Sequence, residues 1–322
     1  MEIALAFNRH LLHDPRVLEI WRNEFETIEY ADRSDLQRRV QAFGADFLYQ
    51  RKYGYVDDLF VEGPRLLVHV VFQVYQPHGH AYAYISSWLA EAVKKDLLLR
   101  LKFEANPGMP GSTLSRVVPL RPHHPFPVPE NSRSFDFVPL ITQAYTPQDD
   151  LRARLGIPPD AFVLGSLSGS KQFDIPFVRQ WIPTFLEMNN SNFFLGPNLE
   201  PFIDHPRAIF LPTIIGGQNK SDYLQAINAM IHARLTGESF GNAVCEALMA
   251  GKPVLSWLGG RDRNHVALLE NSGWLYRNTD DLTRLVSRLS SVETGLEAEA
   301  KALVQEFRPK PVAAQFRAVF GV

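Results

Sequence analysis

The sequence predicts an α/β fold with parallel sheets, divided between two domains. Three observations support this prediction. Strand-like and helix-like segments alternate over the first 50 residues, and a second βα series begins after a stretch rich in Pro and Gly. Between them, the segment RLLVHVVF at residues 65–72 is a near-continuous apolar run, which is typical of a strand buried on both faces of a parallel sheet.

The first half opens with a strand expected at residues 2–7. An amphipathic helix is expected from Asp14 to about Phe25, with Val17, Ile20 and Trp21 facing inward. The βα alternation then continues with a strand at 25–30, a helix at 33–42, a strand at 45–50, the strand at 65–72, and a further strand that ends in Ile-Ser before a helix.

The stretch from Glu104 to Asn131 is dense in Pro and Gly, and we expect irregular loops there around one short strand, RVVPL, at 116–120. A domain boundary is therefore expected near 130–145. The predicted division is an N-terminal domain at 1–140, a C-terminal domain at 141–308 and a closing helix at 309–322.

The second half repeats the βα alternation. Strands are expected at 161–167, 191–196, 208–214, 229–235, 253–257 and 273–276. Helices are expected near 151–155, then at 174–188, 221–228, 241–250, 265–271, 280–289 and 295–307. The closing helix has Val312, Phe316, Val319 and Phe320 at helical spacing.

Composition excludes several classes of protein. The 322 residues are 45% apolar and 21% charged with a net charge of −2, which describes an ordinary globular chain and disfavours a general nucleic-acid binder. Its single cysteine, Cys245, rules out an internal disulfide and suggests a reducing compartment. No apolar run reaches the roughly 20 residues that span a bilayer, and the first residues lack signal-peptide features. We therefore expect a cytoplasmic protein without a transmembrane segment.

The most informative stretch is GESFGNAVCEALMAGKP at 237–253. Glu238 and Glu246 stand eight residues apart, around a small turn and the start of a helix that Gly251 ends. At the carboxyl end of a parallel strand, such a turn and helix N-terminus favour an anionic ligand, and the carboxylates could accept hydrogen bonds from sugar hydroxyls. The alternative is that Glu238 only complements the helix dipole and that Glu246 is a solvated surface residue.

The E-x-F-G turn, the second Glu eight residues after the first, and the following A-x-x-x-G-x-P-V resemble the retaining glycosyltransferases of the GT-B architecture often called family four. This resemblance implies two Rossmann-like domains facing across a cleft. It implies that Glu238 holds hydroxyls of the donor sugar, that Glu246 holds the ribose of the nucleotide, and that the turn lines the donor. The turn residues are Ser239, Phe240, Gly241 and Asn242.

The same family carries the loop G-R-L-x-x-x-K, whose Arg and Lys grip the diphosphate. Here the corresponding loop keeps the lysine as Lys171 and includes Gly169, but Ser166 replaces the arginine. Arg234 shares one face of its strand with His232, close before Glu238. We therefore expect Arg234 to supply the second cation and Lys171 to contribute to catalysis.

The resemblance also implies that a histidine after a strand of the first domain meets the donor sugar. His69 is the best positional match, and His78 and His80 around Gly79 are alternatives. A histidine inside a strand is also compatible with a core role. A metal site is less well supported, because His-Gly-His lacks a third ligand at a recognisable spacing.

The expected function is transfer of a sugar, with retention, from a UDP- or GDP-linked donor to an unidentified glycan, lipid or protein acceptor. No cofactor or metal is expected beyond the nucleotide sugar, and no nucleic acid. Alternatives are an epimerase or phosphorylase on the same fold, or a non-catalytic glycosyltransferase-like partner that binds a protein or glycan. The family's paired glycines after the first strand are absent, and the place reads FNRHLLHD.

Overall fold

The computed structural model describes residues 2–57, 59–105, 127, 129, 135–291 and 295–322. The chain divides into two compact units. The first comprises Met1–Pro139 together with Ala314–Val322, and the second comprises Leu140–Ala313. Each unit has its own parallel strands and its own core, and the two units are described separately.

The first unit contains five strands and three helices among its described residues, together with the later part of the last helix. Along the chain they are β1 (Ala4–Asn8), α1 (Pro15–Glu24), β2 (Glu26–Tyr30), α2 (Arg33–Phe43), β3 (Phe47–Lys52), β4 (Arg65–Val70), β5 (Ala81–Tyr84) and α3 (Ser87–Ala105). Strands β1 and β2 pair in parallel, and β3, β4 and β5 form a separate parallel sheet with β4 in the middle.

The central strand β4 is buried along its length after Arg65, as its apolar run predicts. His69 lies within it and is 1% exposed. Its Nε2 donates to the Val138 carbonyl oxygen at 2.7 Å, and its Nδ1 accepts from the Tyr49 hydroxyl at 2.6 Å. Burial lowers the pKa of His69 to about 4. His69 is therefore a neutral core residue whose two nitrogens are both engaged.

The second unit continues the βα series. Its first half contains α4 (Leu151–Arg154), β6 (Phe162–Gly165), α5 (Pro176–Met188), β7 (Asn192–Pro197), β8 (Ala208–Leu211), α6 (Gly217–Ala226) and β9 (Ala229–His232). Its second half contains β10 (Gly237–Glu238), α7 (Asn242–Met249), β11 (Val254–Trp257), β12 (Asp262–Arg263), α8 (Asn264–Leu269), β13 (Leu275–Tyr276), α9 (Thr279–Ser291) and α10 (Leu296–Ala302). A short 3-10 helix at Gln305–Phe307 precedes α11 (Pro309–Phe320).

Six strands of the second unit form one parallel sheet in the order β8-β7-β6-β9-β11-β13. This is the strand order of a Rossmann fold. The chain moves outward from β6 in one direction through β8, then returns to the other side of β6 with β9. The sheet therefore has its topological switch point between β6 and β9, and ligands of open α/β sheets bind outside the carboxyl ends of the strands at such a point.

The packing of α1 differs from the sequence-based expectation. Ile20 is 36% exposed, and α1 has no fully buried residue. The stripe of α1 that packs includes Val17, Leu18 and Trp21, and Ile20 lies about 100° around the helix from its centre. The predicted strand RVVPL falls outside the described residues.

The burial of neutral His69 should make the free energy of unfolding depend on pH. Its pKa is about 4 when folded and near 6.5 when unfolded, so the unfolded chain binds the extra proton first. The free energy of unfolding should be highest above pH 6.5. It should fall as the pH drops toward 4, with a loss on the order of 3 kcal/mol from His69. Urea unfolding across that range should show a weaker pH dependence for His69→Gln than for the parent.

The matched control is His10→Gln, at an exposed position of the same unit. It should leave the pH dependence of unfolding unchanged. Parallel curves for His69→Gln and the parent would contradict the buried, neutral state of His69.

Candidate active site at the switch point

The site begins with a tight turn after β9. Gly237 has a φ of +73°, and a Cβ added to it would lie 2.0 Å from the Asp262 carbonyl oxygen and 2.7 Å from Cε1 of His265. The short strands β10 and β12 pair in parallel here. Only glycine allows the two segments to approach this closely, so Gly237 sets the position of the residue that follows it, Glu238.

The Glu238 carboxylate is held by two residues of the preceding segment. Its Oε2 accepts from Arg234 at 2.9 Å, and its Oε1 lies 3.3 Å from Nε2 of His232. Nδ1 of His232 in turn lies 2.8 Å from the Ser256 hydroxyl. The predicted placement of His232 and Arg234 on one face thus has a clear consequence, because both side chains reach the same carboxylate.

These contacts keep Glu238 ionised. Burial acts to raise the pKa of Glu238, but the hydrogen bond from His232 and the charges of His232 and Arg234 outweigh it, so the pKa lies below its usual value. The side chain is 17% exposed, which leaves part of the carboxylate accessible to a ligand.

The backbone of Glu238 is fixed by His265. The Glu238 N–H donates to Nδ1 of His265 at 3.2 Å, and Nε2 of His265 donates to the Trp257 carbonyl oxygen at 2.9 Å. Burial lowers the pKa of His265 to about 4. The ring is therefore neutral with its proton on Nε2, and it connects the Glu238 turn to the end of β11.

The turn at 239–242 leads into the N-terminus of α7. Phe240 is buried against Phe307, with ring centroids 5.2 Å apart, and its carbonyl oxygen accepts from Asn264. Gly241 has a φ of +90° and begins α7 without a side-chain cap hydrogen bond. The first backbone N–H groups of α7 therefore point toward the carboxyl edge of the sheet, where an anion is favoured.

Glu246 lies on α7 and faces α6. Its Oε1 accepts from Nζ of Lys220 at 2.6 Å. Both side chains line a cavity of about 320 Å³, at the lower end of the size range of small-molecule pockets. The cavity lining consists of Ile141, Thr142, Gln143, Tyr145, Gly216, Gly217, Lys220, Asn242 and Glu246.

A second glycine-initiated helix borders this cavity. Gly216 has a φ of +86° and begins α6, again without a side-chain cap hydrogen bond. A Cβ on Gly217 would lie 2.2 Å from the ring of Tyr145, so the aromatic ring packs directly on the helix backbone. The cavity thus combines an aromatic wall, a carboxylate and the start of a helix.

The loop after β6 lies at the other side of the switch point. Ser166 is fully buried, with its hydroxyl 2.9 Å from that of Ser168. Gly169 closes a small turn with Gln172, and Lys171 at the loop tip is exposed. Ser166, at the position of the arginine in the family that the sequence resembles, is therefore buried at the end of β6. The cation that this loop exposes is Lys171.

The other predicted histidines lie in the first unit. His78 is buried, and its Nδ1 donates to the Gln76 carbonyl oxygen at 2.7 Å. His80 accepts from the Leu66 N–H at 2.8 Å through Nδ1. Gly79 has a φ of +89°, and a Cβ there would lie 3.0 Å from the Leu66 carbonyl oxygen. All three histidines thus lie around β4, with His69 and His78 buried and both nitrogens of His69 engaged within the first unit. The expected contact of one of them with a donor sugar stays a prediction.

Several residues that shape the site were not predicted from the sequence. Lys220 pairs with Glu246, His265 holds the Glu238 backbone, and Tyr145 walls the cavity. These three residues are distant in sequence from the acids they position or border, and the order of strands in the sheet brings them close. His265 lies at the start of the helix expected at 265–271, but nothing in the sequence links that helix to Glu238.

Within the residues that the structure describes, no group of three or more His, Cys, Asp or Glu side chains has the geometry of a metal site. None of the helices described is both long and apolar enough to cross a membrane.

Several solved structures are similar to this chain. A glycosyltransferase from Rickettsia africae ESF-5 has a TM-score of 0.61 and 12% identity, covering 96% of this chain and 87% of its own. HepE (Alr3699) of Anabaena, in complex with UDP-glucose, has a TM-score of 0.62 and 13% identity, covering 98% and 90%. WaaG, a glycosyltransferase involved in lipopolysaccharide biosynthesis, has a TM-score of 0.52 and 12% identity, covering 92% and 87%. No protein-family model and no curated protein matches the chain.

At these identities the likeness shows the fold. The chain has two Rossmann-like parallel-sheet domains of the GT-B architecture, which confirms the predicted fold class.

The tight turn at Gly237 should make the stability of the fold sensitive to any side chain at this position. Gly237→Ala should lower the free energy of unfolding by several kcal/mol, because positive φ costs an L-residue about 1–2 kcal/mol and the added Cβ also meets a backbone oxygen. Gly156→Ala is the control, since Gly156 also has a positive φ but nothing lies within 4 Å of its Cβ position. Chemical unfolding should therefore show the smaller loss for Gly156→Ala, and equal losses would contradict the close approach at Gly237.

Proposed function

We propose that the protein is a retaining glycosyltransferase that uses a nucleotide-diphosphate sugar. The observation that carries this proposal is the convergence, at one switch point, of the uncapped N-terminus of α7 with two carboxylates, Glu238 and Glu246. An anion-binding helix terminus beside acceptors for hydroxyl groups suits a ligand that contains both a diphosphate and sugars.

In this proposal the diphosphate lies at the turn 239–242. The backbone N–H groups of that turn and the ammonium group of Lys171 stabilise the charge that develops on the leaving diphosphate. Arg234 adds a second cation. Its contact with Glu238 uses one terminal nitrogen, and a guanidinium has five N–H donors, so the same group can orient Glu238 and face a phosphate.

The nucleoside occupies the cavity beside Glu246. The Glu246 carboxylate accepts hydrogen bonds from the ribose hydroxyls, and the ring of Tyr145 offers an apolar wall to the base. HepE was solved with UDP-glucose, and this supports a UDP-linked donor here over a GDP-linked one.

Glu238 holds the hydroxyls of the donor sugar. Its depressed pKa keeps it a hydrogen-bond acceptor at neutral pH, and its partners His232 and Arg234 fix its direction. The reaction then needs no nucleophile from the protein. The acceptor is held by the first unit.

One observation favours a second candidate, a nucleotide-sugar-binding protein without transfer activity. Ser166 is buried, so the loop after β6 presents a single cation, Lys171, to the proposed diphosphate. Slow hydrolysis of UDP-glucose to UDP and glucose by the purified chain would separate the candidates, because a binding-only protein leaves the donor intact.

The two carboxylates should have separable effects. Glu246→Ala should weaken UDP affinity about tenfold, since the ribose contact persists in every nucleotide complex. Glu238→Ala should leave UDP affinity within a few-fold and mainly lower the rate of donor cleavage, because its contacts require the intact sugar. Calorimetry with UDP and a UDP-release assay measure the two quantities.

The control for this pair is Glu270→Ala, an exposed acid at the end of α8 in the same unit. It should change neither quantity. Equal loss of UDP affinity in Glu238→Ala and Glu246→Ala would contradict the assigned roles.

Donor cleavage should persist in excess EDTA. In the proposal Lys171, Arg234 and the amides of α7 neutralise the diphosphate, so a divalent cation has no required part. The measurement is UDP release from UDP-glucose before and after chelation. Complete loss of activity that Mg²⁺ or Mn²⁺ restores would overturn this part of the mechanism.

A further inference from the structure

An ion pair joins two helices of the second unit at the wall of the cavity. Lys220 is the fourth residue of α6, and Glu246 is the fifth residue of α7. Nζ of Lys220 donates to Oε1 of Glu246 at 2.6 Å, and both side chains line the cavity of about 320 Å³. Glu246 has a part in the function proposed above, whereas Lys220 has none.

The pair is open to water on one side. The Lys220 side chain is 34% exposed, and the Glu246 side chain is 24% exposed. Ion pairs that water reaches contribute little to folding, because water solvates the separated charges almost as well and two long side chains lose rotamer freedom. The main effect of the pair is therefore local, since it fixes the direction of the Glu246 carboxylate.

The helix that carries Lys220 is anchored by the two residues that follow the lysine. Ser221 is 7% exposed and donates its hydroxyl to the Tyr145 carbonyl oxygen. Oδ1 of Asp222 accepts from the Gln148 N–H at 2.7 Å. These contacts hold the start of α6 in place, so the lysine reaches its partner from a fixed base.

Glu246 also projects from a fixed helix. Its neighbours Cys245 and Ala247 are fully buried, so α7 cannot rotate to redirect the carboxylate, and only the side-chain torsions set its direction. Lys220 restricts those torsions by holding Oε1. Within the part of the chain that the structure describes, no group donates to the other oxygen, Oε2.

A carboxylate that is held in this way suits the two neighbouring hydroxyls of a ribose. An ionised carboxylate only accepts hydrogen bonds, and each ribose hydroxyl has an O–H to donate. A 2′-deoxyribose lacks one of these hydroxyls, so it displaces water from the carboxylate without replacing every hydrogen bond. The more firmly the carboxylate is held, the less it can turn back to water when a hydroxyl is missing.

We propose that Lys220 is a positioning residue, which holds Glu246 so that the cavity selects a ribonucleotide donor over a 2′-deoxyribonucleotide donor. The role of Lys220 rests on the nucleotide-sugar function proposed above, in which Glu246 accepts from the ribose. It narrows the donor class, because sugars linked to deoxythymidine diphosphate lack the 2′-hydroxyl and are disfavoured.

Calorimetric titrations of the full chain with UDP and with 2′-deoxyuridine diphosphate test this role. The parent should bind UDP about tenfold more tightly than the deoxy analogue, which is less than a fully buried polar site achieves because water reaches both side chains. Lys220→Met should weaken UDP about tenfold and the deoxy analogue by less than about threefold, since the freed carboxylate must be ordered again on binding. The ratio of the two dissociation constants should therefore fall to about three or less.

This ratio separates positioning from other roles of a lysine. A cation that only served the diphosphate would change both affinities by the same factor, because both ligands carry the same diphosphate. A lysine that only stabilised the fold would change the unfolding temperature and leave the ratio as it is. When Lys220→Met is added to Glu246→Ala, the ratio should not change further, because the lysine acts through the glutamate.

Lys301→Met is the matched control. Lys301 also pairs with a glutamate of the second unit, Glu297, and its side chain is 37% exposed, but it does not line the cavity. This variant should change neither dissociation constant. A parent that binds both nucleotides equally, or a ratio that Lys220→Met leaves unchanged, overturns the positioning role.

Failure of the positioning role and failure of the proposed function give different results. If the parent binds UDP and cleaves UDP-glucose but Lys220→Met keeps the parent's ratio, the function stands and the positioning role fails. If the parent binds neither nucleotide, the nucleotide-sugar function fails, and the positioning role fails with it.

Discussion

The candidate site depends on one hydrogen bond, from the backbone N–H of Glu238 to Nδ1 of His265. It forms only because Gly237 lets the chain pass against the Asp262 carbonyl, and only because His265 is neutral with its other nitrogen committed to Trp257. If either condition fails, the carboxylate no longer lies at the carboxyl edge of the sheet. A buried neutral imidazole thus acts as a rigid spacer between two loops, and its depressed pKa is a consequence of that position.

The charge balance around this turn follows from the same arrangement. The Glu238 side chain is only 17% exposed, so its charge requires compensation. His232 at the end of β9 and Arg234 just after it provide that compensation. Glu246 is compensated separately by Lys220. The two acids of the motif therefore lie in different environments, one within the turn and one on the wall of a cavity, and this supports different roles for them in binding one ligand.

The local elements of the fold could be predicted from the sequence. The helix at 241–250 and its end before Gly251 were predicted from apolar spacing and the position of the glycine, and the structure has α7 at Asn242–Met249 with Gly251 at positive φ. The burial of β4 was predicted from its unbroken apolar run. The period of two predicted Arg234 and His232 on one side of the chain, and both side chains reach Glu238, although β9 ends at His232. Such features are set by residues close together in sequence.

Features that depend on the order of strands in the sheet could not be predicted from the sequence. The pairing of Lys220 with Glu246 joins two different helices, and no spacing in the sequence predicts it. The environment of His69 likewise depends on residues that are distant in sequence. Its position after a run of apolar residues matched a functional pattern, but the partners that engage it, Tyr49 and Val138, lie 20 and 69 residues away. Whether a strand histidine faces a ligand or the core depends on those distant partners.

If a nucleotide sugar binds at the switch point of the second unit, its nucleotide part should protect the backbone there. Hydrogen exchange measured by mass spectrometry, with and without saturating UDP, reports where that protection lies. We expect slower exchange in peptides covering 237–246 and 216–220, at the starts of α7 and α6, and unchanged exchange in β3 and β4. Protection confined to other segments, or no protection at any nucleotide concentration, would contradict binding at the switch point.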